Sequence, residues 1–239
     1  MKTAVIIVDH AGYPRRVANT RTALAMAGVD VHAVCPHYKP HPHAQPVEIP
    51  EDWLPEDPAI ERWRKDWHRC HLHYVAGYAA LGLDADFLWC IENDVATSGA
   101  TWLRLLEETN DLGHDGLFAR LSHRAERPGI GWFSHPGTAR WMNWYHHGCM
   151  YRLSRRALSW LSESAGETRE AFCEVAVASV IDRAGGTLRG INTNARVERV
   201  ARPRTFYNCQ TLCFPPRLPV FDPRFFNHPC KADDPAPGS

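Results

Sequence analysis

The segment FLWCIENDVATSG, residues 87–99, opens on five apolar residues, places Glu92 and Asp94 two positions apart, and then passes into small polar residues. A short apolar run closed by turn-forming residues reads as a buried β-strand. On an extended chain, residues i and i+2 point to the same side, so at a strand-to-turn junction the two carboxylates can approach one ion. Mg²⁺ and Mn²⁺ prefer carboxylate oxygens and are commonly shared between one or two protein acids and substrate phosphates. Paired acids after a strand also serve as turn formers or helix caps, and the pair alone leaves both readings open. In open α/β sheets ligands bind at the carboxyl ends of the strands, which gives this acidic end its interest.

Working outward, TAVIIV (3–8) reads as a buried strand followed by Asp9, His10 and Gly12. A helix from Tyr13 to Ala27 carries Val17 and Leu24 and stops at Gly28, and VDVHAVC (29–35) forms the next strand. Strand, helix, strand in this order predicts a right-handed βαβ unit with parallel strands. Seven prolines between residues 36 and 58 predict a long surface loop. A helix then begins at Asp57-Pro58 and runs to Gly82, with Ile60, Trp63, Trp67, Cys70 or His71, and Tyr74 on one stripe.

Beyond the opening segment, residues 100–109 read as an amphipathic helix, 116–121 as a strand and 122–140 as a second long loop. Residues 141–161 are expected to hold an aromatic strand-like segment, Gly148, a short strand, and a helix from about Ser154. REAFCEVAVASVIDRAGG (169–186) is a helix apolar on most sides, a pattern of burial, and TLRGINTNARVERV adds one or two strands. There is no internal repeat.

Lys plus Arg number 27 and Asp plus Glu 27, so no global field attracts nucleic acid or an anionic membrane, and any phosphate site must be local. The N-terminal apolar run is too short for a signal peptide or a membrane span, and the protein is expected to be soluble and cytoplasmic. The eight cysteines are scattered among apolar residues and are expected to be reduced thiols. Cys209, Cys213, His228 and Cys230 form the only loose zinc-like pattern. HPH (41–43) lies in the Pro-rich loop, and His68 and His71 share a helix face, solvated or packed.

Taken together, the strand ending in Glu92-Asn93-Asp94 resembles the DxD signature of nucleotide-sugar glycosyltransferases with the GT-A fold. The opening βαβ unit with Asp9 and His10 is similar to the nucleotide-binding start of that fold. HHGCMYRLSRRAL (146–158) looks like its glycine-bearing segment, in which backbone near Gly148 lies close to donor or acceptor. Glu174 resembles in placement the acid of the xED motif, the general base of inverting members, and His228 in FFNHPCK resembles the C-terminal histidine that completes metal coordination. Two departures stand out: the first acid of the triplet is Glu, and Val175 rather than a second acid follows Glu174.

The resemblance covers most of residues 3–231. It implies one α/β domain over 1–231, a mixed and mostly parallel sheet flanked by helices, with a Rossmann-like nucleotide-binding half (1–100), an acceptor half (101–231) and a disordered tail (232–239). It further implies transfer of a sugar from a UDP- or GDP-sugar to a hydroxyl acceptor, with Mn²⁺ or Mg²⁺ held by Asp94 and His228. Glu92 and Asn93 would contact ribose or a metal-bound water, Lys231 and Arg224 would add positive potential, and Glu174 would take the acceptor's proton.

Each assignment has a plainer counterpart. Glu174 complements a helix dipole, worth about 0.3–1 kcal/mol; His228 is a loop residue before a proline; Asp9 and His10 end a strand; Trp132, Trp141 and Trp144 pack a loop rather than stack on sugars. Two other functions fit the same residues. One is a nucleotidyltransferase or nucleotide-sugar-binding protein, although DHAGYPRR has a single glycine and two arginines where triphosphate activation calls for a richer run. The other is a zinc-bearing Cys/His interaction protein.

Overall fold

The computed structural model describes residues 1–10, 14–26, 28–54, 69–93, 95, 99–134, 137–191, 207–209 and 226–228. A seven-stranded sheet, order β3-β2-β1-β4-β6-β5-β7, organises them. Its strands are β1 (Thr3–Val8), β2 (Asp30–Pro36), β3 (Gln45–Val47), β4 (Phe87–Glu92), β5 (Gly116–His123), β6 (Trp144–Ser154) and β7 (Leu188–Gly190). β1, β2, β3 and β4 are mutually parallel. β6 runs antiparallel to both β4 and β5, and β7 is parallel to β5. The mixed, mostly parallel sheet expected from the sequence is therefore present. Two further short strands, β8 (Tyr207–Cys209) and β9 (Phe226–His228), pair with each other in parallel.

The strand alternation sorts the core onto two faces. Ala4, Ile6 and Val8 of β1 and Leu88 and Cys90 of β4 face one layer, which holds α2 (Cys70–Ala80), α4 (Arg155–Glu163) and α6 (Cys173–Arg183). Val5, Ile7, Trp89 and Ile91 face the other, packing on Val17 and Leu24 of α1 (Pro14–Ala25) and Trp102 and Leu105 of α3 (Gly99–Thr109). Burial on two covered faces is the requirement of a parallel sheet, and it explains the near-continuous apolar runs of β1 and β4. A one-turn helix, α5 (Ala165–Thr168), separates α4 from α6.

α2 lies unusually close to the sheet at Gly77, where a Cβ would meet Val34 at 3.1 Å and Ile6 at 3.6 Å. That approach buries every residue from Cys70 to Gly77, including His71 and His73. The packed reading holds for His71; His68 and the earlier part of the expected helix, from Asp57, lie outside the described residues. α1 ends at Ala25, whose carbonyl accepts from the N–H of Gly28, and the Gly28 φ of 73° is one that only glycine adopts at no cost.

Two expectations are corrected. The Pro-rich segment is not loop throughout: Gln45–Val47 adds β3 to the edge of the sheet, with Pro46 opposite Cys35. An edge strand needs hydrogen bonds on one side only, so the missing N–H of Pro46 is tolerated there. Residues 144–154 are one continuous strand rather than two segments broken at Gly148, because β5 pairs with β6 before and after Gly148 and β4 pairs with its second half. The 201–239 region is described only at β8 and β9, so the expected tail and Lys231 lie outside the described residues.

At the sheet edge away from the candidate site, Asp115 precedes β5 and acts as a structural clamp. Its Oδ1 accepts from Ser154 Oγ at 2.8 Å and Arg156 Nε at 3.0 Å, and its Oδ2 from Arg156 at 2.7 Å and Thr187 N at 2.9 Å. Burial alone would push this carboxyl up, but the bonds from Arg156, Thr187 and Ser154 outweigh it and bring the pKa down to about 2. A depressed carboxylate contributes stability that is present above its unfolded pKa and lost as the pH falls through the folded one. Asp115→Asn is accordingly expected to lower the unfolding free energy by about 2 kcal/mol at neutral pH. The difference from the native protein should shrink as the pH falls from about 4 to 2, which denaturant titrations across that range would show.

Candidate active site

The register of the parallel strands assembles the first part of the site. Val8 pairs with both Val34 and Glu92, so the residues that follow β1 and β4 emerge side by side. Asn93 Nδ2 donates to Asp9 Oδ1 at 2.7 Å, and the Asp9 N–H donates to Val34 O at 2.8 Å. The other Asp9 oxygen lies 3.0 Å from His41 Nε2, on a side chain only 10% exposed. Lys39 Nζ donates to His10 O at 3.1 Å. Asp9 is wholly buried, and His10 and Asn93 nearly so. The Asp9 carboxylate thus fixes three segments at once: the end of β1, the end of β4, and the loop between β2 and β3.

The second part follows from strand parity. Glu92 shares its side of β4 with Leu88 and Cys90, the side that faces α2 and α6. There Cys70 Sγ lies 3.5 Å from Glu92 Oε1 and 3.5 Å from Cys173 Sγ. Cys70 is the first residue of α2 and Cys173 the first of α6. Glu174, half-buried, follows in the first turn of α6, and His146 Nε2 meets the Cys173 carbonyl at 3.3 Å. Contact with Cys173, burial and the Glu92 carboxylate push the Cys70 thiol well up. The bond from Cys70 pulls Cys173 down, but burial and the charges of Glu92 and Glu174 outweigh it and leave that thiol raised. Both acids therefore act on one sulfur, at the start of α6.

Gly148 enters from β6. The β5–β6 ladder slips between Phe118 and Arg120, where residues 148–150 of β6 stand opposite Ala119 alone, a bulge in a central strand. The β4–β6 ladder is last paired at Ile91 and Met150; continued by two residues, its count sets Gly148 level with Asn93. A glycine at a bulge beside a strand end is a place where another backbone or a ligand can approach closely.

The structure thus brings Asp9, His10, Glu92 and Asn93 to one edge, joins Glu174 to Glu92 through the thiol pair, and sets Gly148 at the same level. Asp94 and Lys231 lie outside the described residues, and His228 is described only as a backbone position in β9, opposite Cys209. Among the described residues no three His, Cys, Asp or Glu side chains converge as metal ligands. His41, Cys70, Cys173 and His146 were not anticipated. Cys70 and Cys173 read in the sequence as small hydrophobes, and His41 as one polar residue in a Pro-rich loop; no local pattern distinguishes them.

Trp141 and Trp144 are accounted for by packing: Trp141 lies under the Arg183 guanidinium, and Trp144 meets the His123 ring edge-on. Among the described residues no helix is long and apolar enough to cross a membrane.

No protein-family model matches the sequence, and no curated protein matches it significantly. The solved structures to which the chain is similar include glycosyltransferases. Glucosyl-3-phosphoglycerate synthase from Mycobacterium tuberculosis, in complex with phosphoglyceric acid, aligns at 15% identity and a TM-score of 0.46, covering 79% of this chain and 69% of that one. A galactosyltransferase in complex with donor and acceptor sugar analogues aligns at 14% identity and a TM-score of 0.42, over 79% and 73% of the two chains. Core-mannan synthase A from Aspergillus fumigatus, in a Mn/GDP form, aligns at 10% identity and a TM-score of 0.39, over 80% and 73%. These are distant likenesses of chain course.

Proposed function

We propose that this chain is a glycosyltransferase that moves a sugar from a nucleotide-diphosphate donor to a hydroxyl acceptor. The observation that carries the reading is the placement of Glu92, in contact with Cys70, and of Glu174, next to Cys173 in the first turn of α6, at the carboxyl end of β4 beside the Asp9–Asn93 pair. A donor bound at that edge lies over the ends of β1 and β4, with Asp9 and His10 fixing the nucleotide side and Gly148 leaving room for the sugar. In the transfer step the acceptor oxygen bonds to the anomeric carbon as the bond from that carbon to the diphosphate oxygen breaks. The acceptor's proton passes to the Glu174 carboxylate.

Carboxylate and amide oxygens at the end of β4 are the donor type that hard divalent cations take. Asp94, with His228, would hold Mn²⁺ or Mg²⁺, and the cation would supply neutralising charge for the departing diphosphate. Calorimetry with UDP and GDP, with and without each cation, tests the reading. Cation-dependent binding of one nucleotide is expected, weakened at least about tenfold by Asp94→Asn. Absence of binding by either nucleotide with cation present would remove the proposal.

A further inference from the structure

We infer that Cys70 and Cys173 are a reversible oxidation site, able to form a disulfide that ties the first turn of α2 to the first turn of α6 beside Glu92. The two sulfurs lie 3.5 Å apart across 103 positions of sequence. Each occupies the first position of its helix, and neither helix start is closed by a side-chain cap. Bond formation brings the sulfurs to about 2.0 Å, a closure that two uncapped helix ends can share. Cys35 and Cys90 are equally buried, yet among the described residues neither makes a thiol–thiol contact of this kind.

Both thiols are at most 1% exposed, so a bulky disulfide oxidant cannot reach them in the closed structure. The co-reactant is a small hydroperoxide, admitted when the first turn of α2 or α6 opens locally. The Cys173 sulfur of the opened form attacks the peroxide: the S–O bond forms, the O–O bond breaks and the thiol proton passes to the departing oxygen, leaving a sulfenic acid and an alcohol or water. Cys70, 3.5 Å away, then attacks the sulfenic sulfur, and its proton leaves with the sulfenic hydroxyl. The S–S bond forms, the S–O bond breaks and water leaves, so two thiols and one hydroperoxide give one disulfide, one alcohol or water, and one water. While the structure is closed, both thiols are shielded from the oxidant, which confines the reaction to the opened form. The disulfide removes the S–H group that Glu92 accepts.

The test treats the full chain with hydrogen peroxide, blocks remaining thiols by alkylation, and maps peptides without reduction. The expected product joins the peptides of Cys70 and Cys173 with the loss of two hydrogens and is reversed by dithiothreitol. In Cys70→Ser, and in Cys70→Ala as a second variant, the cross-link should vanish and dimedone should trap Cys173 sulfenic acid about tenfold above the native level. Unchanged alkylation of both residues, pairing of either with another of the eight cysteines, or sulfinic acid at Cys173 in the native protein without the cross-link would overturn the inference. The readout is covalent and does not depend on transfer, so it stands or falls apart from the glycosyltransferase reading.

Discussion

Glu174→Gln is expected to slow sugar transfer by about 10² to 10⁴-fold while leaving nucleotide affinity within about threefold of native. The substitution keeps the shape and hydrogen-bonding length of the side chain and removes only its ability to take a proton. Glu174 stands in the first turn of α6, half-buried, beside a thiol that also feels Glu92. If its whole role were to complement the helix dipole, the variant would lose about 0.3–1 kcal/mol of stability and little rate. The two roles thus part in two measurements: denaturant unfolding, and single-turnover transfer as a function of pH. A base in the transition state predicts that the acidic limb of the native pH profile disappears with Gln. Full transfer by Glu174→Gln would move the base to another residue.

How far the sequence reveals such a site depends on whether the contact is local. β1, α1, β2 and β4 are legible because short apolar runs closed by turn residues and the glycine at position 28 are signals carried within a few residues. The register of β1 against β4 then follows from the parallel pairing, and with it the Asp9–Asn93 contact. The insertion of antiparallel β6 between β4 and β5 is not legible, since it is decided by pairing with β4 across 59 to 67 residues, with β5 across 21 to 37, and by the bulge at 148–150. β3 is missed for the opposite reason: local chemistry argues against a strand at Pro46, and the edge position makes the objection irrelevant.

The acidic triplet shows the same division. From sequence, Glu92 is an oxygen donor two positions from Asp94. In the fold its parity with Leu88 and Cys90 turns it toward α2 and α6, where its contact is a thiol 22 positions earlier. Residues 70 and 173 meet only because two helices pack on one sheet face, and neither position advertises this. His41 is similar, a histidine among prolines that becomes a neighbour of Asp9 once the loop after β2 folds back.

His71 carries the second large effect, on stability rather than rate. It is wholly buried on α2, and among the described residues neither ring nitrogen has a hydrogen-bond partner. Burial first, then the charges of Arg69, His146 and His73, bring its pKa from 6.5 down to about 3. The sign follows from proton counting: between those two values the unfolded chain binds a proton that the folded chain refuses, so stability rises with pH there. The contribution is fully present above about pH 6.5 and is lost progressively toward pH 3. At pH 5 the shift already costs about 2 kcal/mol, and by pH 3 about 4–5 kcal/mol. His71→Leu removes the titrating group and two unsatisfied nitrogens, each of which costs about 1–3 kcal/mol when buried without a partner. The variant is therefore expected to be at least as stable as the native protein at pH 7.5 and more stable by about 2 kcal/mol or more at pH 5, read by urea unfolding at both values. A native protein whose unfolding free energy stays flat between pH 7.5 and 5, or a leucine variant that keeps the native slope, would place the acid sensitivity elsewhere and give His71 a partner in solution.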